Sequence, residues 1–315
     1  MFECYEQLFG VRIQEVEGEV DVWKQGVRCY SVSNSEGGKL LGYFYMDIFQ
    51  DGKQGNGTMM RPLRCRVKNS SEPALAILFC SFPAAVEGQA ALLQFADVPT
   101  LFHEFGHVMH LMCSETELHS SGSHLCAMDF IEMPSQLLEN WAWEPSIIKK
   151  FAKHYQTGAE IPDELLAKLI ASRYAKSIMD HYLTLQLGMS DLGIHGSEWQ
   201  QFCGEGGTQR VQALCPCPYP LSDMGEKPNM FLKQGQFVDN AYPGMLYTYS
   251  WGRVMAADVF SRFQKEGLLN AKLGKEYRER ILEKGASLPA SELYRDFMGR
   301  EPDSEAQLSE MKQPL

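Results

Sequence analysis

The segment TLFHEFGHVMH, residues 100–110, brings three of the chain's eight histidines within a few positions and sets a glutamate directly after the first. Histidines four apart on an α-helix lie nearly one above the other, about 6 Å along the axis. His103 and His107 have that relation, so both imidazoles can reach one ion. Glu104 points about 100° further round the helix, where it flanks the ion and meets a water instead of ligating. Two neutral nitrogen donors, an open coordination position and an adjacent carboxylate base are the parts of metal-assisted peptide hydrolysis.

The competing explanation is an amphipathic helix that carries HExxH by accident, which happens in roughly one chain in a hundred of this size. A third ligand therefore decides the matter. His110 lies three residues past His107 on a similar face, but three ligands on one straight helix crowd the ion. Glu132 in the following segment, MDFIEMPSQLLENWAWE, is the better third ligand, with Asp129 and Gln136 as side chains expected to hydrogen-bond the histidines. Gly106 inside the first helix costs up to about 1 kcal/mol relative to alanine, and a close backbone approach accounts for it.

These residues need two helices to carry them. Asp97 and Pro99 suit a helix start, and apolar residues recur at Leu101, Phe105, Val108, Leu111 and Met112. A second helix is expected over 129–143, with Pro134 acceptable in its first turn. Further helical periodicity runs through 162–188, 249–267 and 291–298. Residues 27–49 read as a β-hairpin turned by NSEGG, and 203–245 as an irregular, Gly/Pro/Cys-rich loop. DGKQGNGT, residues 51–58, lacks phosphate-loop spacing and reads as a connector. The chain is expected to be mainly α, with a small β element near its start.

At 315 residues the chain can bury a sizeable core. A net charge of −11 argues against nucleic acid. The longest apolar run, ALAILFCSFPAAV from Ala74, is too short for a membrane span. Nine cysteines without a framework favour reduced thiols, and Cys215 and Cys217 lack the second pair that a zinc ribbon needs. MFECYEQLFG lacks a secretory signal, so a cytoplasmic location is expected, or a mitochondrial or other organellar one if the N-terminus is truncated.

FHEFGHVMH followed by DFIEMPSQLLENW closely resembles the thimet oligopeptidase–neurolysin family of zinc metallopeptidases, as does ILEKGASLPASELYRDFMGREP near the end. The resemblance runs from about Tyr5 to Leu308 and is to the catalytic C-terminal half. It implies a helical, zincin-type (gluzincin-like) catalytic domain over 1–315: a β-containing first region (1–95), zinc-site helices (96–145) and a helical remainder (146–315). It also implies one Zn2+ per chain on His103, His107 and Glu132, and a metalloendopeptidase acting on short oligopeptides. In that mechanism Glu104 assists attack by a zinc-bound water.

Three departures from the family pattern bear on activity. A helical N-terminal half is expected to be missing or supplied by another subunit, which would leave an apolar surface exposed. In the substrate loop, Phe237 stands at the family's histidine and Leu246 at one tyrosine, leaving Tyr242, Tyr247 and Tyr249 as substrate or oxyanion candidates. Asn56 replaces another histidine. The alternative implied is a catalytically impaired fragment or descendant that binds peptides or serves as an interaction protein.

Overall fold

The computed structural model describes residues 1–18, 20–50, 57–85, 90–197, 199–207, 210 and 242–312. Phe237, Asn56, Cys215, Cys217 and most of the 51–58 and 203–245 loops lie outside the described residues.

The hairpin forms as its residues predict: β2 (Arg28–Asn34) pairs antiparallel with β3 (Leu40–Gln50) across the NSEGG turn. It belongs to a larger sheet than expected. With β1 (Val11–Glu15), β4 (Met59–Arg64) and β5 (Ala74–Pro83), the order is β1-β2-β3-β5-β4, with β3 and β5 parallel and the other pairs antiparallel. A five-stranded mixed sheet thus replaces the small β element. β5 is the apolar run from Ala74, and its burial alternates along the strand. Ala74, Ala76, Leu78, Cys80 and Phe82 turn toward the core.

That sheet is the floor for the first zinc-motif helix. α2 (Asp97–Cys113) packs across β3, β4 and β5. Phe105 of α2 meets Phe44 of β3 at 5.2 Å between ring centroids and Tyr5 of α1 (Phe2–Phe9) edge-on at 4.9 Å. Gly42 in β3 lets the helix come close, since a Cβ there would sit 2.4 Å from the Met112 sulfur.

α3 (Met128–Ala142) lies against α2 on one side and α6 (Thr248–Glu266) on the other. Pro134 falls in the second turn of α3, beyond the first turn where a proline is readily tolerated. Its ring nitrogen cannot bond the Phe130 carbonyl, and close packing on both flanks carries the helix past it. The periodic stretch from 162 becomes α5 (Asp163–His195), one turn and more longer than its pattern suggested. Along one face of α5, Ile178, Leu185, Met189 and Leu192 remain exposed.

Among the described residues, α1, α4 (Pro145–Phe151), α7 (Ala271–Arg280) and α9 (Glu305–Met311) escaped the periodicity. α7 is tied back by Arg278, which donates to the Phe9 carbonyl at 2.9 Å and to Asn34 Oδ1 at 2.8 Å. α8 (Ala290–Met298) is fastened to α6 through Asp258. This buried carboxylate accepts from Tyr294 at 2.5 Å, from both terminal nitrogens of Arg300 at 2.5 and 2.7 Å, and from the Asp303 amide at 3.0 Å. One cluster of buried side chains runs continuously from Cys4 to Phe297 and joins sheet and helices.

Candidate metal centre

α2 presents His103 and His107 on one face, their ring centroids 5.0 Å apart. α3 crosses close enough that a Cβ at Gly106 would lie 2.9 Å from the Ser135 Cα and 3.3 Å from a Leu138 methyl. The close approach inferred for Gly106 is therefore an approach to α3. It brings Glu132 Oε2 to 3.2 Å from His103 Nε2 and 3.3 Å from His107 Nε2.

The three ligand atoms lie within 4.8 Å of one another, and among the described residues no other His, Cys, Asp or Glu group converges in this way. A tetrahedral ion with bonds of about 2.0–2.1 Å has ligand–ligand edges of about 3.3–3.4 Å, which matches both His–Glu separations. A His₂Glu donor set on two packed helices fits zinc.

Partner side chains hold these ligands in place. His103 Nδ1 is 2.6 Å from Glu139 Oε1, and the Ser135 hydroxyl donates to Glu132 Oε2 at 3.1 Å and to the Glu132 carbonyl at 2.8 Å. Burial opposes charge on His103, but the Glu132 and Glu139 carboxylates outweigh it and hold its pKa well above the usual histidine value. Burial likewise opposes charge on Glu132, and the two imidazoles more than offset it, keeping that carboxyl well below its ordinary range.

Glu104 is buried beside the group. Its Oε2 has no hydrogen-bond partner. Burial raises its pKa, His103 and His107 pull it down, and Glu132 adds to the rise.

The other expected residues fall elsewhere. His110 is in the core with Nε2 unpartnered. Burial, helped by His107, lowers its pKa to about 3, so it is a neutral packing residue outside the ligand group. Gln136 donates to the Tyr249 carbonyl at 3.1 Å and Asp129 accepts from the Tyr247 hydroxyl at 3.5 Å. Neither takes the role expected for it beside the histidines. Glu139 does, and the sequence held a signal for it: seven residues past Glu132, it lies on the same face of α3 two turns on. Tyr242 sits half-buried at the start of the turn that leads into α6.

A family model described as "Peptidase family M3" matches residues 1–313. The chain belongs to peptidase family M3. It is 32% identical over 318 residues to oligopeptidase A of Escherichia coli (strain K12), covering 98% of this chain and 45% of that protein. Saccharolysin of Saccharomyces cerevisiae (strain ATCC 204508 / S288c) is 28% identical over 325 residues, covering 99% of this chain and 45% of the yeast protein. What is established is this share of a member's length, under half, and not the C-terminal half inferred from the motifs.

Relatives include a "Probable cytosolic oligopeptidase A" and an "Organellar oligopeptidase A, chloroplastic/mitochondrial", both of Arabidopsis thaliana. Among the described residues of this M3 chain, no helix is long and apolar enough to cross a membrane. Among solved structures, "PZ peptidase A with inhibitor 2" superposes with a TM-score of 0.56 at 15% identity, covering 84% of this chain and 42% of that one. Trypanosoma cruzi metallocarboxypeptidase 1 gives 0.52 at 14% identity, covering 78% and 55%. These likenesses are of fold.

Proposed function

We propose that residues 1–315 form a single zincin-type catalytic domain, a zinc-dependent oligopeptidase that hydrolyses short peptides as a metalloendopeptidase. The observation that carries this reading is the convergence of His103, His107 and Glu132 on one point, with the unpartnered Glu104 oxygen buried beside it. A purely structural metal site has no use for Glu104.

His103, His107 and Glu132 would hold one zinc per chain, and Glu139 and Ser135 would orient His103 and Glu132. Zinc bound there supplies a Lewis acid toward a scissile carbonyl. Glu104 takes a proton from the attacking water and later delivers it to the leaving nitrogen. Its Oε2, buried without a hydrogen-bond partner, is the oxygen placed for that transfer. Tyr242, Tyr247 and Tyr249 are the candidate O–H donors to the developing oxyanion, a type of donor whose loss costs about 10²–10³ in rate.

A second reading, a catalytically impaired peptide-binding descendant or fragment, is favoured by one residue. Leu246 stands where the family pattern has a tyrosine and is packed into the core, offering no hydroxyl.

The test is cleavage of a short quenched-fluorescent peptide by the zinc-loaded chain, beside a chelated sample and Glu104→Gln. The enzyme reading expects one zinc per chain in both proteins and cleavage in the wild type alone. A folded, zinc-loaded wild type that cleaves nothing supports the second reading.

A further inference from the structure

We propose that Asp191, far from the zinc motif in sequence, positions the tyrosine segment 242–249 against the metal-site helices. The proposal rests on the peptidase reading for its catalytic consequence.

Asp191 lies on α5 with no exposed surface. Its Oδ1 accepts the Gly244 amide at 3.0 Å, and its Oδ2 accepts the Leu246 amide at 2.9 Å. His195, one turn further along α5, places Nδ1 2.8 Å from Oδ1. Both acceptor oxygens are thus spent on the two alternate amides that lead into α6.

α6 has no side-chain cap of its own. The Asp191 carboxylate, from another helix, instead takes two amides of the turn just before it, and its negative charge there suits the N-terminal end of the α6 dipole. No lysine or arginine shares this carboxylate in the structure's hydrogen bonds and ion pairs among the described residues. The two backbone amides and the His195 ring are therefore what compensate its burial.

A second contact from α5 fixes the same segment. A Cβ at Gly188, three residues before Asp191 and so on the same face, would lie 3.0 Å from the Tyr247 Cα and 3.2 Å from its nitrogen. Glycine is what permits the backbone of Tyr247 to lie against the helix. Tyr247 then reaches Asp129 on α3, three residues before Glu132. Physical contacts run from α5 to the tyrosine segment and on to the helix that carries the glutamate ligand. The oxyanion candidates owe their placement to a buried carboxylate on a helix that holds none of the metal-binding residues.

The experiment uses the full zinc-loaded chain and the variants Asp191→Asn and Gly188→Ala. Amide exchange is read at Gly244 and Leu246, with α2 amides as reference, together with zinc stoichiometry and the kcat–KM split on the fluorescent peptide. Asparagine replaces one acceptor by a donor facing an N–H, so at least about tenfold faster exchange is expected at Gly244 and Leu246, with α2 unchanged. Zinc stays at one per chain. Because an oxyanion donor acts chiefly in the transition state, kcat is expected to fall about tenfold or more while KM moves far less.

Gly188→Ala disturbs the segment without changing charge and is expected to give the same pattern, smaller. It carries the test if Asp191→Asn does not fold. Unchanged exchange at the two amides overturns the proposal. So does a uniform rise that includes α2, which marks a general stability effect, and so does selective loosening with kcat intact. If the wild type cleaves nothing, the peptidase reading fails separately, and the exchange data alone decide whether Asp191 holds the segment.

Discussion

Gly106→Ala sets two effects of similar size against each other. Alanine is the better helix former by about 1 kcal/mol, so on α2 alone the substitution stabilises. Its Cβ, however, would lie 2.9 Å from the Ser135 Cα, where carbon atoms prefer about 3.5–4.0 Å. The shortfall is at least about 0.6 Å. The opposing atom is backbone and cannot rotate away. α2 and α3 must therefore part by about half an ångström at their crossing, and overpacking of this kind costs about 1–3 kcal/mol. Packing wins or draws level, and the net change in apo stability is a loss of about 0–2 kcal/mol.

The metal site is the more sensitive reporter. His103 and His107 ride on α2 and Glu132 on α3, and a zinc site tolerates only about 0.2 Å of error in its ligand distances. Zinc affinity is expected to fall at least about tenfold, equivalent to about 1.4 kcal/mol. Competition against a chromogenic chelator reads the affinity, and thermal melts of the apo protein read stability. A variant that binds zinc as tightly as the wild type and melts higher refutes the argument, because propensity would then have outweighed the contact.

Glu139→Ala frees His103 Nδ1 and is expected to weaken zinc binding about 10–100-fold with the fold intact; an unchanged dissociation constant in the same competition assay would falsify the orienting role. Glu132→Ala is expected to abolish stoichiometric zinc binding, whereas His110→Leu retains one zinc, since His110 packs in the core. Metal analysis of the two dialysed proteins separates these outcomes, and loss of zinc from His110→Leu would restore His110 as a ligand. Asp258 bears on acid stability. Burial opposes its charge, but Arg300, Tyr294 and the Asp303 amide lower its pKa below the usual aspartate value. Its stabilisation is therefore complete above the unfolded-state value of about 3.9 and is lost as pH falls through the lower folded-state value. Asp258→Asn is expected to cost about 2–3 kcal/mol at neutral pH and to make the variant less sensitive to acid. Melts between pH 3 and 7 that show parallel curves for the two proteins would contradict this.

How far the sequence could be read varied with the range of the contact involved. The zinc-motif helix was legible because its apolar positions repeat over about three turns and its histidines share one face. Glu132 was legible because it begins the next periodic segment. β5 hid inside an apolar run because its less buried face carries Leu75, Ile77 and Phe79, so burial alternates along the strand while hydrophobicity does not. The assignment of Asp129 and Gln136 to the histidines failed for a related reason. Position on a helix gives a face, but which neighbour that face meets depends on the crossing of α3 with α6. There Tyr247 and Tyr249 claim both side chains.

The sequence by itself determined which side chains are the candidate donors and about where each element bearing them starts, because helical period and donor chemistry are local properties of a few consecutive residues. Tertiary structure decided between Glu139 and Gln136 as the residue that faces His103, a choice that the shared face of Glu132 and Glu139 suggested but did not make. It also decided that a carboxylate on α5 holds the amides before α6. Each depends on the separation and crossing of elements tens of residues apart, which close packing at Gly106 and Gly188 sets to within a few tenths of an ångström. No spacing along the chain encodes that.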